Sequence, residues 1–147
     1  MKQIIIARKD LGMSPGKLGA QCSHAAMMFL TQNIKANLEK VPGLDLYRTS
    51  FTLQGAVVDG WLLGIFTKIV LEARDRAHLY KAIGYAEGLG LKEDRDFFVV
   101  KDNCLTELGP EEIGEDGVGR TATCIGFRPL PDDVARKISK HYQLFRG

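Results

Sequence analysis

Short apolar runs occur at several places along the chain and predict buried strands. Continuous apolar runs of this length are typical of strands that are covered on both faces. The runs KQIIIAR and DFFVVKD are of this kind, and TATCIGF is expected to form a third strand. The three expected strands lie at 2–8, 96–102 and 121–127.

Apolar residues at helical spacing predict three helices. Ser14 is a favourable N-cap residue and Pro15 suits the first helical position, so the first helix is expected from Pro15 to about Asn33. Its apolar stripe consists of Leu18, Cys22, Ala25 and Phe29. The other two helices are expected at 75–88 and from 132 to about 142.

The dipeptide Asp59-Gly60 lies between two apolar stretches and predicts a β-hairpin. Asp-Gly is favoured in two-residue hairpin turns because both positions require a positive φ. Antiparallel strands are therefore expected near 51–58 and 61–71.

The elements follow the order strand, helix, hairpin, helix, strand, strand, helix. This order predicts the α/β class, as a single three-layer sandwich in which helices flank a small mixed β-sheet. Four core strands are expected, and the hairpin is expected to add an extra strand. One domain is expected over residues 1–147, because the chain is within the usual size of a single domain.

Composition and cysteine usage indicate a cytoplasmic globular protein. Hydrophobic residues make up 45% of the chain, and no apolar run approaches the roughly 20 residues that span a bilayer, so no membrane association is expected. The chain enters an apolar strand directly, without the cleavage site of a signal peptide. Cys22, Cys104 and Cys124 share no CxxC spacing, which favours reduced thiols over a disulfide or zinc framework.

The net charge is only +2, but charged residues are unevenly distributed. Residues 1–40 hold six basic and two acidic side chains, and residues 118–147 hold the same numbers. Residues 93–117 hold nine acidic and two basic side chains. This distribution is compatible with a polyanionic partner, and equally with ordinary solvated charge.

Lys17 is an unusual residue for the first turn of a helix. Unpaired backbone N–H groups give that turn a partial positive charge, so acidic side chains are favoured there. A lysine is useful if its partner is an anion, or a carbonyl that gains negative charge. The alternative is that Lys17 extends into solvent. Gln21 and His24 continue the same stripe of the helix.

Asp102 and Thr106 lie just after a predicted strand. Loop residues at this position are often functional in α/β folds. An Asx-turn at Asp102 and a hydroxyl cap at Thr106 are the structural alternatives. The pattern alone leaves both interpretations open.

Spacing disfavours three other kinds of site. The stretch from Gly12 to Lys17 is one residue short of a phosphate-binding loop, and leucine follows where Ser or Thr would hold magnesium. Cys22 and His24 point about 200° apart on a helix and cannot form a nucleophilic pair. The histidines share no metal-ligand spacing with carboxylates, so no metal site is expected.

Several motifs resemble those of type II peptidyl-tRNA hydrolases. The opening IIIARKDLGMSPGKLGAQCSHAA is similar to an apolar strand, then R-x-D-L-x-M and G-K-[IVL]-x-A-Q-C-[SA]-H-A. KDNCLTEL is similar to the family's D-A-G-x-T-Q/E, and TATCIGFRPLPDDVARKISKHYQLF to its closing strand, turn and final helix. With KIVLEA, the resemblance covers most of the chain except about 31–67.

The resemblance implies hydrolysis of the ester that joins a peptide to the 3′ ribose of tRNA, without a metal or other cofactor. Asp102 would position or deprotonate the attacking water, and Lys17 would stabilise the oxyanion or hold a phosphate of the CCA end. Gln21 would bond to the peptide carbonyl or the ribose, and two threonines would orient water, substrate or Asp102. The implied catalytic residues are Lys17, Gln21, Asp102, Thr106 and Thr121.

Basic side chains and the motif histidine are expected to bind the peptidyl-tRNA substrate. Contacts with the RNA backbone are independent of base sequence and sensitive to salt. For His24, packing on the helix is the alternative, and a homodimer is left open. The candidate substrate-binding residues are Arg8, Lys9, His24, Lys35, Arg120 and Arg128.

Three departures from the family pattern leave a second function open. Cys104 stands where the family usually has glycine, which matters if the position requires a positive φ. Glu107 stands where glutamine is commonest, and the segment 34–65 is longer than expected. The alternative is a tRNA-binding or protein-interaction protein of the same fold that has lost turnover.

Overall fold

The computed structural model describes residues 1–147 and confirms the α/β class. The strands are β1 (Gln3–Arg8), β2 (Glu39–Lys40), β3 (Tyr47–Arg48), β4 (Lys68–Ala73), β5 (Phe97–Asp102), β6 (Glu112–Ile113), β7 (Gly119–Phe127) and β8 (Gln143–Leu144). The helices are α1 (Pro15–Ala36), α2 (Gly55–Val57), α3 (Arg76–Gly88) and α4 (Asp132–Ser139), and a π-helical turn spans Val58–Leu62.

The main sheet has the strand order β5-β7-β1-β4-β8. β1 and β4 are parallel, from Gln3 opposite Lys68 to Arg8 opposite Ala73. β7 is antiparallel to both β1 and β5, so the predicted mixed sheet with four core strands is confirmed. β8 pairs antiparallel with β4, and β6 pairs with β7 outside this order.

Helices cover both faces of the sheet, because successive strand residues point to opposite sides. Ile4 and Ile6 of β1 join the larger hydrophobic cluster, which includes buried residues of α3 and α4. Ile5 and Ala7 pack in a second cluster with Ala25 of α1. Burial on both faces explains the continuous apolar run in β1, and it confirms the three-layer sandwich.

α1 lies close against β7, and Gly126 permits this approach. A Cβ atom at Gly126 would collide with the backbone carbonyl of Ala25. At the N-terminus of α1, the Ser14 hydroxyl accepts a hydrogen bond from the Lys17 N–H at 3.3 Å, as expected for an N-cap. α1 extends to Ala36, beyond the predicted end, and α4 stops before its predicted end. Neither α1 nor any shorter helix could cross a bilayer.

The predicted hairpin at Asp59-Gly60 is wrong, because both residues lie inside the π-helical turn that continues α2. Val57 and Trp61 are buried in one cluster with Phe29 of α1. A helical spacing of four residues brings both side chains to the same side. Burying a tryptophan and a valine stabilises this conformation by several kcal/mol, about 1.5–3 for each large side chain, and outweighs the turn preference of Asp-Gly.

The segment 34–65 forms a small hairpin at a different place. β2 pairs antiparallel with β3, with Glu39 opposite Arg48, on either side of Pro42-Gly43. Residues 51–58 form no strand, and the strand expected at 61–71 begins only at Lys68. The additional strand of the main sheet is β8, which comes from the C-terminal end of the chain.

Candidate active site

The start of α1 and the end of β5 meet at one edge of the sheet. β1 and β5 are both antiparallel to β7, so their carboxyl ends lie at the same edge. α1 begins shortly after β1, and Asp102 ends β5 opposite Thr121 of β7. This edge is the usual location of ligand sites in open α/β sheets.

Lys17 and Asp102 form the centre of the site. The Lys17 ammonium donates to Asp102 Oδ1 at 2.7 Å and to Thr106 Oγ1 at 3.1 Å. Gln21, one helical turn after Lys17, donates from Nε2 to the same Oδ1 at 3.3 Å. The Lys17 and Asp102 side chains are 13% and 12% exposed, so the pair is shielded but still reachable from solvent. The first-turn lysine therefore has an anionic partner.

The loop after β5 holds Asp102 through its backbone. The Cys104 N–H donates to Asp102 Oδ2 at 3.0 Å, and the Cys104 thiol donates to the Asp102 carbonyl oxygen at 3.4 Å. Cys104 has a φ of 60°, the left-handed conformation that glycine adopts most readily. The cysteine thus keeps a positive φ, which costs about 1–2 kcal/mol for a residue with a Cβ atom.

Glu107 connects this loop to the N-cap of α1. Its carboxylate accepts hydrogen bonds from the Ser14 hydroxyl and from the Ser14 N–H, the latter at 3.1 Å. These bonds, the hydroxyl first, lower the pKa of Glu107 below its ordinary value, and the charge of Lys17 lowers it further. The carboxylate lies at the positive end of the α1 dipole, where a negative charge is favourable.

Thr121 hydrogen-bonds with the loop that follows Asp102. Its buried hydroxyl donates to the Gly109 carbonyl at 2.7 Å and accepts from the Glu111 N–H at 3.1 Å. The Cys104 thiol lies 3.5 Å from the same oxygen. Thr121 therefore fixes the shape of the loop around the site.

A hollow of about 220 Å³ opens beside the ion pair and continues into a larger groove. The groove has a volume of about 690 Å³ and shares His24 and Lys101 with the hollow. Its lining combines apolar with basic side chains, including Met27, Met28, Val99, Lys35 and Arg120. The hollow is lined by Lys17, Gln21, His24, Lys101, Asp102, Asn103, Leu105 and Thr106.

Comparison with known proteins identifies the family, because the family model described as peptidyl-tRNA hydrolase PTH2 matches residues 1–145. The chain belongs to this family. A protein named peptidyl-tRNA hydrolase from Pyrobaculum aerophilum is 34% identical, over 99% of this chain and 98% of that protein. Its namesake from Methanopyrus kandleri is 29% identical, with the same coverage. The human protein named peptidyl-tRNA hydrolase 2, mitochondrial is 27% identical, over 98% of this chain and 64% of that protein.

Four of the five residues that the PTH2 resemblance marks as catalytic are joined by hydrogen bonds. Lys17 and Gln21 donate hydrogen bonds to Asp102, and Thr106 accepts one from Lys17. Thr121 lies opposite Asp102 in the sheet, with its hydroxyl directed to the loop. No three His, Cys, Asp or Glu side chains come together in a way that could hold a metal ion.

The residues expected to bind the substrate are divided between the groove and other surfaces. His24, Lys35 and Arg120 line the groove. Lys9 lies at the same edge of the sheet, with its ammonium 3.4 Å from a Glu72 carboxylate oxygen. Three of these four side chains therefore line the groove, and Lys9 does not.

Arg8 and Arg128, by contrast, do not line the groove. Arg8 is 2% exposed and its guanidinium pairs with Glu111 and Asp10, which raise its pKa above the ordinary value. Arg128 follows β7 at the opposite end of the sheet, where it donates to Asp96 at 2.6 Å. Both guanidinium groups form ion pairs within the fold. The sequence analysis predicted that they bind the substrate.

The sequence did not identify Thr123, which contacts a site residue directly. Thr123 is fully buried, and its hydroxyl donates to Gln21 Oε1 at 2.6 Å. A threonine within a strand carries no local signal of such a role. Its separation of two residues from Thr121 is the only hint in the sequence.

Proposed function

We propose that this member of the PTH2 family hydrolyses the ester bond between peptide and tRNA in peptidyl-tRNA, in the hollow beside Lys17 and Asp102. The observation that carries the proposal is the 2.7 Å contact between the amine and the carboxylate, next to a cavity open to solvent. Gln21 and Thr106 bond to the same pair. A salt bridge that served only the fold would not require these two polar neighbours.

The unused hydrogen-bonding positions of the ion pair suit ester hydrolysis. An ammonium has three N–H donors, and Lys17 uses two on Asp102 and Thr106, so one remains for the ester carbonyl oxygen. Asp102 accepts three hydrogen bonds from the protein. A carboxylate offers about four positions, which leaves one for a water molecule.

The reaction then proceeds by addition of water. The water held by Asp102 adds to the ester carbonyl carbon while its proton passes to the carboxylate. The carbonyl oxygen becomes an oxyanion, which the Lys17 ammonium stabilises. Collapse of this intermediate breaks the bond to the 3′ ribose oxygen, which takes the proton, so that free peptide and free tRNA leave. Gln21 has a second hydrogen on Nε2, which is available to the peptide carbonyl or the ribose. No step of this reaction requires a metal or other cofactor.

The groove is proposed to bind the single-stranded 3′ end of the tRNA. Lys35 supplies positive charge for phosphates, and Met27 and Met28 supply an apolar surface for bases. Arg120 also lines the groove, but its guanidinium is already paired with Asp116. The groove meets the hollow at His24, so an RNA end in the groove would bring its terminal ribose to the ion pair.

Two substitutions test the proposed reaction. Lys17→Ala and Asp102→Asn should each lower kcat/KM for release of an N-blocked amino acid from tRNA by about 100-fold or more, because each removes a group that acts on the reacting atoms. Lys137→Ala and Asp133→Asn on the exposed side of α4 are the matched controls, and they should retain full activity.

The release assay, together with a measurement of tRNA binding, separates the alternatives. If the parent protein binds tRNA but releases nothing, the chain is a tRNA-binding protein that has lost turnover. If it binds no tRNA at low salt, a protein-interaction role replaces both proposals.

We also propose a reducing compartment, the cytoplasm, as the location of this protein. Cys22, Cys104 and Cys124 are all free thiols. A homodimer stays a prediction from the sequence.

A further inference from the structure

β7 contains a β-bulge next to the site, and Thr123 is the extra residue. In the pairing of β5 with β7, Val100 lies opposite Cys124 and Lys101 lies opposite Ala122. One step along β5 thus corresponds to two steps along β7, and Thr123 has no partner in the register. Bulges of this kind redirect side chains and are frequent beside active sites.

The bulge changes which face of the sheet the neighbouring side chains reach. In a regular strand Ala122 and Cys124 would point to the same face. Here Ala122 packs in the cluster of α3 and α4, whereas Cys124 packs in the cluster of α1. Thr123, which regular alternation from Cys124 would turn away from α1, instead places its hydroxyl against Gln21 of α1.

The hydroxyl of Thr123 anchors the oxygen end of the Gln21 amide. Both groups are almost completely buried, at 0% and 3% exposure. Thr123 Oγ1 lies 2.6 Å from Gln21 Oε1 and 3.4 Å from the Val100 carbonyl oxygen. Both neighbours are acceptors, so the hydroxyl hydrogen goes to the closer one. Thr123 is the only hydrogen-bond donor to Gln21 Oε1.

With Oε1 held by Thr123, the amide nitrogen must face Asp102. The opposite orientation would place Oε1 against Asp102 Oδ1, and two acceptors in contact repel each other. We propose that Thr123 is a positioning residue that fixes the Gln21 amide with its N–H groups toward Asp102 and the substrate. This inference rests on the proposed function, in which Gln21 contacts the reacting ester.

The first test removes the hydroxyl while keeping the shape of the side chain. Thr123→Val should lower kcat by about tenfold, the effect of one buried hydrogen bond of about 1.4 kcal/mol, and change KM less than about twofold. Thr123→Ser should restore most of the lost kcat, because it returns the hydroxyl. A loss confined to KM, or no rescue by serine, would overturn the proposal.

A double-mutant cycle shows whether Thr123 acts through Gln21. If it does, Thr123→Val combined with Gln21→Ala should be no slower than Gln21→Ala alone. Losses that multiply would mean that Thr123 acts independently, and the proposal would be wrong.

A control distinguishes positioning from a general loss of stability. Gln3 is also fully buried, and its Nε2 donates to the Phe127 carbonyl at 2.9 Å and to the Ala26 carbonyl of α1 at 2.7 Å, towards the opposite end of the sheet from the site. Gln3→Leu should shift the thermal unfolding midpoint without lowering kcat per folded molecule. If it lowers kcat as much as Thr123→Val, the role of Thr123 is only structural.

A measurement on the free protein tests the amide orientation without any turnover. The side-chain NH₂ hydrogens of Gln21, followed by NMR, should exchange with solvent at least several-fold more slowly in the parent protein than in Thr123→Val. Equal exchange rates would refute the positioning role. Because this comparison needs no substrate, a parent protein that releases no peptide would contradict the proposed function and leave the amide test intact.

Discussion

The first turn of α1 balances one cation against two anions. Lys17 adds positive charge to a helix N-terminus, which is unfavourable in isolation. Asp102 pairs with the ammonium, and the Glu107 carboxylate accepts hydrogen bonds from Ser14 at the N-cap. The glutamate that departs from the family pattern therefore has a clear physical role, because it stabilises the helix end that carries the lysine.

Replacement of Glu107 by glutamine should make the stability of the protein less dependent on pH. The pKa of Glu107 is lower in the folded state, so its charge stabilises the fold above the unfolded pKa, and this contribution is lost as the pH falls through the folded pKa. Glu107→Gln should have a lower unfolding midpoint than the parent at pH 7, and the difference should disappear in acid. The thermal unfolding midpoints of the parent and of Glu107→Gln, measured at a series of pH values from 7 to 2, test both expectations.

Glu115→Gln is the control for this comparison, since Glu115 is an exposed residue of the same loop. It should leave the midpoint unchanged across the pH range. A Glu107→Gln midpoint equal to that of the parent at pH 7 would show that the carboxylate does not stabilise the N-cap.

Some of these residues could be identified from the sequence, and others could not. Lys17 is recognisable because its position conflicts with the charge of the helix end, and Asp102 because it ends a strand. Thr123 could not be found in this way. Its direction depends on a bulge, which arises from the pairing of two strands distant in sequence.

Among the secondary-structure elements, those with strong local signals are predictable. α1 begins as expected because Ser14 and Pro15 fix its start, and β1 is evident from its apolar run. The Asp59-Gly60 hairpin fails because a tertiary contact, the burial of Trp61 against α1, overrides a local turn preference. β8 is too short and too exposed to carry a sequence pattern.

The close packing of α1 on β7 should make Gly126 intolerant of any side chain. In Gly126→Ala the new Cβ meets backbone atoms of Ala25, so α1 must move away from the sheet. We expect a loss of about 1–3 kcal/mol in the free energy of unfolding, measured in urea, together with lower kcat because Lys17 moves with the helix.

Gly84→Ala provides a control, because it should change the free energy of unfolding in the opposite direction. Gly84 is an exposed residue in the interior of α3 with open space around it. Alanine there should raise the free energy of unfolding by about 0.5–1 kcal/mol. If Gly126→Ala is equally harmless, α1 does not depend on this close approach.

Considered as a whole, the molecule places its basic groove next to the ion pair on one side of the sheet. Lys35 lies on the last turn of α1, at the far end of the groove from Lys17. α4, with its own basic residues, lies on the opposite face of the sheet. Positive charge is therefore found on both faces, but only one of them contains the hollow.

Salt dependence of tRNA binding should distinguish the two faces. Each phosphate contact that is lost reduces the slope of log K against log salt by about 0.7–0.9. Lys35→Ala should show this reduction, and Lys137→Ala on α4 should keep the slope of the parent, as measured by fluorescence anisotropy with tRNA. Equal slopes for parent and Lys35→Ala would exclude Lys35 as a phosphate contact.

Two packing contacts hold the middle of α1, in addition to the hydrogen bonds of Lys17 and Gln21 nearer its start. Ala25 lies against Gly126, and the Phe29 ring meets the Trp61 ring edge-on at 5.9 Å. The location of the Lys17 amine is thus independent of the connection that leaves the other end of the helix. Residues could be inserted or deleted between 37 and 50 without displacing the amine, so evolution can reshape that surface while the chemistry stays in place.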